Sequence, residues 1–299
     1  MLVYAVLLLS VAMASAKAIL SKAVKRSGER AYETLLSNTI IFATAFVVIL
    51  FFCIGSPGVL GGMPVILPML YGLFTVGAQV AFMQAVSLGP VSLSSLVYSC
   101  GFLLPTTFGA VYYREAVSGL QLFGIVLIVL SFALSVDRDK SITARWAVVA
   151  LLSLLCSGMV GLVQKLFVIE YPQASSDMFL IIAFGCMVAL SGLTFGILRL
   201  YERKMGHDGQ RAEPVKPCRR PLAFLLVLGC IVACVNRSNT YLAGALPSVI
   251  FFPVMNGGTI LLTSLLSVPL FRERPSVRQW LSIAVGIVGI LCIGIGKNV

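Results

Sequence analysis

Apolar runs about as long as a bilayer is thick recur ten times along this chain, separated by mostly short polar breaks. A helix needs roughly 20 mostly apolar residues to cross the hydrocarbon core. The runs cover residues 2–21, 35–54, 64–86, 91–113, 119–136, 146–168, 178–198, 222–244, 248–271 and 279–296. Inside lipid only helices or closed barrels satisfy every backbone group. Barrel strands alternate over about ten residues, and these runs are longer and continuously apolar. Composition agrees. Of 299 residues, 59% are hydrophobic and 11% charged, with a mean hydropathy of +1.01; soluble domains run near a quarter charged. The expected fold class is an all-α integral membrane protein of ten transmembrane helices.

The net charge of +11 would suggest nucleic acid in a soluble chain. In one this apolar it reads as a topology signal and as contact with anionic headgroups. The expected partners are membrane lipids and a small-molecule substrate, with no nucleic acid; a homodimer is left open. None of the eight cysteines forms a CxxC pair, and His207 is the single histidine, so neither a metal centre nor a disulfide framework is expected, and no cofactor. Residues 12–16, Ala-Met-Ala-Ser-Ala, resemble a signal-peptidase site, but no positive segment precedes them. The first run is therefore expected to stay as a helix.

The two halves resemble each other. Residues 114–125 and 272–283 share Arg, Glu, Ser, Gln and Ile at an offset of 158, which also pairs Ala85 with Ala243, Leu88 with Leu246 and Val91 with Val249. An offset of 143 pairs Leu8, Leu9, Ser10 and Lys22 with Leu151, Leu152, Ser153 and Lys165. The long basic segment 199–221 accounts for the difference. Two units follow, 1–140 and 141–299, each of five helices. Like units that each cross five times lie upside-down to one another, and inverted repeats place a transporter's site near the midplane between them.

Each half ends in a turn with Arg-Glu, then Ser-x-x-Gln, then a glycine-containing last helix; residues 87–93, 245–249 and 251–258 complete the pattern. In this the chain resembles the drug/metabolite transporter superfamily, in its EamA-type ten-helix branch, over essentially its whole length. The resemblance implies transport of amino acids, other small metabolites, nucleotide sugars or drugs. It also matches Glu115 and Glu273 to the family's glutamate after the fourth helix of each repeat, as gate or ligand groups. A plainer reading has each accept hydrogen bonds at the N-terminus of the next helix, where a carboxylate is stabilised anyway.

Polar residues inside apolar spans are costly and tend to face a cavity or a neighbouring helix. Gln79, Gln84, Tyr98, Asn236, Arg237, Asn239 and Asn256 are therefore the expected substrate-binding residues, with Tyr71, Ser99 and Gln164 as weaker additions. The 158 offset pairs Gln79 with Arg237 and Tyr98 with Asn256, suggesting one shared cavity; interhelical hydrogen bonding without a ligand is the alternative. Lys17 lies about four residues from the end of its run and is expected to snorkel to the interface. All eleven acids sit near span ends or in loops. This favours neutral, zwitterionic or anionic cargo over lipophilic cations. Pro105 is expected to kink the fourth helix, and Gly257-Gly258 after Pro253 to loosen the ninth.

The reading is a secondary transporter of a small polar, amino acid-like metabolite, in the cell membrane. Alternatives are a nucleotide-sugar or multidrug exporter of the same fold, and a non-transporting receptor or scaffold. An embedded enzyme would need clustered His, Cys or carboxylates at one depth, and no GxxxxGK[ST] loop is present to use ATP. Loops after odd-numbered helices carry 17 Lys and Arg, against 2 in the even-numbered loops and tail. The positive-inside rule puts both ends of the chain outside the cytoplasm, against the habit of ten-helix members.

Overall fold

The computed structural model describes residues 2–24, 31–55, 62–134, 143–205, 221–271 and 276–296. Glu273 and residues 206–220 of the basic segment lie outside the described residues. The described chain is helical: α1 (Leu2–Val24), α2 (Ala31–Gly55), α3 (Ile66–Leu88), α4 (Val91–Ser99), a 3₁₀ turn (Cys100–Phe102), α5 (Leu103–Val111), α6 (Gly119–Leu134), α7 (Ala144–Glu170), α8 (Ser176–Met205), α9 (Leu222–Ala245), α10 (Ser248–Phe271) and α11 (Val277–Ile295). Among the described residues, nine helical spans are long and apolar enough to cross a membrane, with α4 and α5 forming one of them. The sixteen-residue α6 is equally apolar but shorter.

Local chemistry sets several ends. The Ser-x-x-Gln common to both halves is a capping device. Gln121 N–H donates to Ser118 Oγ (3.2 Å) and Ser118 N–H to Gln121 Oε1 (3.0 Å). The same pair of bonds joins Ser276 and Gln279 at 3.3 and 2.9 Å, opening α11. Each box satisfies two backbone donors that a helix start leaves without partners. Thr143 caps α7 by accepting from Trp146 N–H at 3.2 Å.

The expected kink near Pro105 takes the form of the 3₁₀ turn at Cys100–Phe102. Proline has no N–H for the carbonyl four residues back, that of Gly101, and the chain tightens there. The ninth span behaves differently. α10 runs unbroken from Ser248 to Phe271 with Pro253 and Pro269 inside it. Gly257 and Gly258 do not loosen it, since they pack against Ile128 and Val11.

Paired glycines bring helices into backbone contact. A Cβ at Gly101 would overlap Ser157 Oγ, and one at Gly158 would come within 2.7 Å of Gly101 O. A Cβ at Gly124 would meet Gly289 O at 2.6 Å, and one at Gly289 would meet Gly124 O at 2.9 Å. So α4–α5 seats on α7, and α6 on α11. Small residues allow this close approach in membranes. Among the other glycines of α11 and its end, Gly286 and Gly296 pack closely, while Gly294 faces open space.

The main neighbours are α6 with α11, α3 with α7, α2 with α8 and α9, α1 with α9 and α10, α3 with α8, and α10 with α5. One apolar cluster joins α1, α6, α10, α11 and the end of α9, around Ile128, Phe251 and Ile293. A second joins α2, α3, α7, α8 and α9, around Ile49, Phe167 and Phe184. Each cluster draws on both halves of the chain. The outer surface is apolar as well: Leu8, Phe51, Val126, Val148, Leu193 and Leu291 are all exposed. A water-soluble monomer rarely shows so much contiguous apolar surface.

Candidate functional site: a polar central cavity

A cavity of about 460 Å³ lies among the helices, lined from α1, α2, α3, α4–α5, α7, α8, α9 and α10. Its volume is in the range of sites that take small molecules. Helical periodicity explains who reaches it. On α3, Tyr71, Thr75 and Ala78 follow at i, i+4 and i+7 and share a face. On α9 the inward pair is Asn236 and Asn239, at i and i+3.

The polar groups are organised by hydrogen bonds. Tyr71 Oη donates to Asn236 Oδ1 at 2.7 Å, and Asn236 Nδ2 donates to Val232 O at 2.8 Å. Gln164 Nε2 donates to Thr240 Oγ1 at 3.0 Å. Asn256 Nδ2 donates to Phe252 O at 3.0 Å. Asn239 Oδ1 is buried with no hydrogen-bond partner among the described residues. A buried carbonyl left so is costly, and a ligand or water donor would relieve it.

Of the seven expected residues, the cavity gathers Tyr98, Asn236, Asn239 and Asn256. Gln79, Gln84 and Arg237 do not line it. Gln84 is exposed on the far side of α3, and Gln79 is half-buried on its flank. Arg237 lies 100° around α9 from Asn236 and points away. Its Nε and Nη2 donate to Asp177 Oδ1 and Oδ2 at 2.8 and 3.1 Å, and its guanidinium lies 4.8 Å from the Phe52 ring centre. This pair lines a second cavity of about 470 Å³, together with Ser175, Ser176 and Tyr241. The weaker candidates Tyr71, Ser99 and Gln164 all line the central cavity.

Two groups were underrated in the sequence. α1 continues to Val24, which puts Lys17 seven residues from the helix end; its side chain is exposed and lines the central cavity with Ala14 and Ala18. Lys165, one residue beyond the cavity-lining Gln164, is 2% exposed and pairs with Glu115 Oε1 at 2.9 Å. It also donates to Ala243 O and Leu246 O at 3.0 and 3.1 Å, at the C-terminal end of α9.

Glu115 does not cap the next helix, as expected, but one in the other half. Its Oε2 accepts from Ser248 N–H at 2.6 Å, and its Oε1 from Ser248 Oγ at 3.2 Å. Arg114 before it takes φ +50, a left-handed conformation rare outside glycine. The ion pair thus sets a cation at the end of α9 and an anion at the start of α10, each complementing the helix dipole. Ser248, which donates to Glu115 of this pair, lies about one turn before the cavity-lining Phe252. The lysine paired with Lys165 by the sequence repeat, Lys22, lies at the far end of α10. Its Nζ is 3.4 Å from Ser267 Oγ and 4.9 Å from the Phe271 ring centre. Ser248 and Ser267 are about 28 Å apart along the helix.

Comparison with known proteins informs the fold alone. No family model and no curated protein matches the sequence. A solved structure described as "Crystal structure of protein" superposes with a TM-score of 0.74 at 12% identity, over 99% of this chain and 98% of that one.

Proposed function

We propose that the chain is a secondary transporter of a small polar metabolite, working by alternating access around the central cavity. The observation that carries this reading is the cavity itself. It is lined by eight spans of an apolar bundle, and amides and hydroxyls from several of them reach it. The reading includes membership of the EamA-type branch of the drug/metabolite transporters, with ten membrane helices in two inverted repeats, 1–140 and 141–299, in the cell membrane.

Helix packing supports the repeat. Let α1, α2, α3, α4–α5 and α6 correspond in order to α7, α8, α9, α10 and α11. Then α2–α8, α5–α10 and α6–α11 are each a helix beside its own counterpart. The packing of α3 on α7 is matched by α9 on α1, and α2 on α9 by α8 on α3. Such exchange is what a twofold relation between halves requires.

Counterflow tests the function. Proteoliposomes loaded with one unlabelled metabolite each, from a panel of amino acids, organic acids and sugars, are offered the labelled compound outside. The reading expects saturable, trans-stimulated uptake for at least one compound, reduced at least tenfold by Asn239→Ala. Tight binding without counterflow would favour a receptor instead.

A further inference from the structure

We propose that the central cavity takes an anionic cargo, a small solute bearing a carboxylate or phosphate, and that Lys17 is its counter-charge; this rests on the transporter reading above. Lys17 extends from α1 into the cavity wall. Among the described residues its Nζ has no carboxylate and no hydrogen-bond acceptor. Every residue lining the cavity is uncharged except Lys17 itself. Among the described residues, the site therefore holds one cationic side chain with no carboxylate on its wall.

Among the described residues, two other cations inside spans are paired. Lys165 has Glu115 and two carbonyls, and Arg237 has both oxygens of Asp177. The Lys17 side chain is exposed to the cavity space, where a ligand can reach its ammonium. Leaving one group unmatched where its neighbours are matched points to a ligand that supplies the missing charge. The surroundings suit an anion. Ser15, two residues before Lys17, donates to Thr259 O at 3.2 Å and fixes α1 against α10. Thr259 and Ser99 bring hydroxyls to the same cavity, and Tyr98 a phenol. These are donors for oxyanion atoms, and no carboxylate on the wall would repel them. The unpartnered Asn239 Oδ1 asks for a donor, which a hydroxyl or ammonium elsewhere on the cargo would provide.

The test uses the purified full-length chain in detergent and its melting temperature as a binding readout. The anionic probes are succinate, L-glutamate, glucose 6-phosphate and inorganic phosphate. Their neutral or zwitterionic counterparts are L-glutamine and glucose. At least one anionic probe should stabilise the wild-type chain while the counterparts do not. Lys17→Arg should keep the response. Lys17→Gln should raise the apparent Kd at least tenfold. Asn256→Asp, which adds a carboxylate to the wall, should weaken anion binding as well, so that the result does not rest on one variant.

The proposal is overturned if no anion binds, if Lys17→Gln binds anions like the wild type, or if the neutral counterparts bind equally well. Counterflow on the same preparations separates the two readings. Transport of a neutral solute that survives Lys17→Gln would sink the anion site and leave the transporter standing. Anion binding lost in Lys17→Gln, with no counterflow of any probe, would keep the site and sink transport.

Discussion

Lys165 Nζ and Glu115 Oε1 stand 2.9 Å apart at the point where α7, the turn after α5, the end of α9 and the start of α10 converge. Removing one partner of a buried pair leaves the other charge uncompensated, at a cost of about 3 kcal/mol or more. Glu115→Leu and Lys165→Met should each lower unfolding stability in detergent by that order. The double variant should recover much of the loss, because neither charge is then stranded. Additive losses would show that the two groups are not coupled.

The two faces of α9 should separate in binding. Asn236→Ala breaks the bond from Tyr71 and alters the cavity wall, so ligand affinity should fall at least tenfold. Arg237→Gln changes only the second cavity and the contact with Asp177. Because Arg237 is 45% exposed, its pair is worth about 1 kcal/mol or less. Affinity should therefore stay within about threefold of wild type, a shift of about 0.65 kcal/mol. A large loss on Arg237→Gln with none on Asn236→Ala would reverse the assignment.

Close packing makes a sharper contrast among glycines. Gly101→Val should destabilise the protein by about 2 kcal/mol or more, since its side chain has no room beside Ser157 and Leu154 O. Gly294→Ala meets nothing within 4 Å and should be near neutral. Equal melting temperatures for the two would contradict the packing described for α4–α5 on α7.

Much of this architecture was legible in the residues. Continuous apolar runs mark helices well, and the expected spans agree with the helices to within a few residues at most ends. The larger departures are telling. α8 runs on to Met205 through the polar Glu202 and Arg203, where hydropathy alone ends the span. The cavity was half legible. Tyr98 and Asn256, paired by the repeat offset, both line it, whereas Gln79 and Arg237, paired by the same offset, both stand off it. A repeat marks corresponding positions, and polarity marks only the need for a partner. For Arg237 that partner is Asp177, 60 residues away and outside the central cavity. Angular position on α9 separates the two cases, since Asn236 and Asn239 share a face that Arg237 does not. The Lys165–Glu115 pair was hidden for another reason: it needs four segments to converge, and no local pattern encodes that.

Orientation is open to a direct check. By the positive-inside rule, the bias of 17 basic residues against 2 predicts that position 141, which lies outside the described residues, faces the cytoplasm and the ends of the chain the other side. Single cysteines replace Ser141 or Val299 in a cysteine-free background, and intact cells are treated with an impermeant maleimide. The expected result is labelling at position 299 and none at 141; the opposite pattern would restore the habitual orientation of ten-helix members.

Alternating access around the central cavity is tested most directly by accessibility of the cavity from each side. A cysteine replaces Asn256 in a cysteine-free chain, reconstituted in vesicles of uniform orientation, and an impermeant thiol reagent is added to one side at a time. The account predicts that position 256 is labelled from both sides, at rates that a bound cargo slows. A companion disulfide that fixes α5 to the start of α10, beside the Lys165–Glu115 pair, should abolish labelling from that end alone. Labelling from neither side would contradict a transport route through the cavity. Labelling from one side only, unchanged by the disulfide, would contradict alternation.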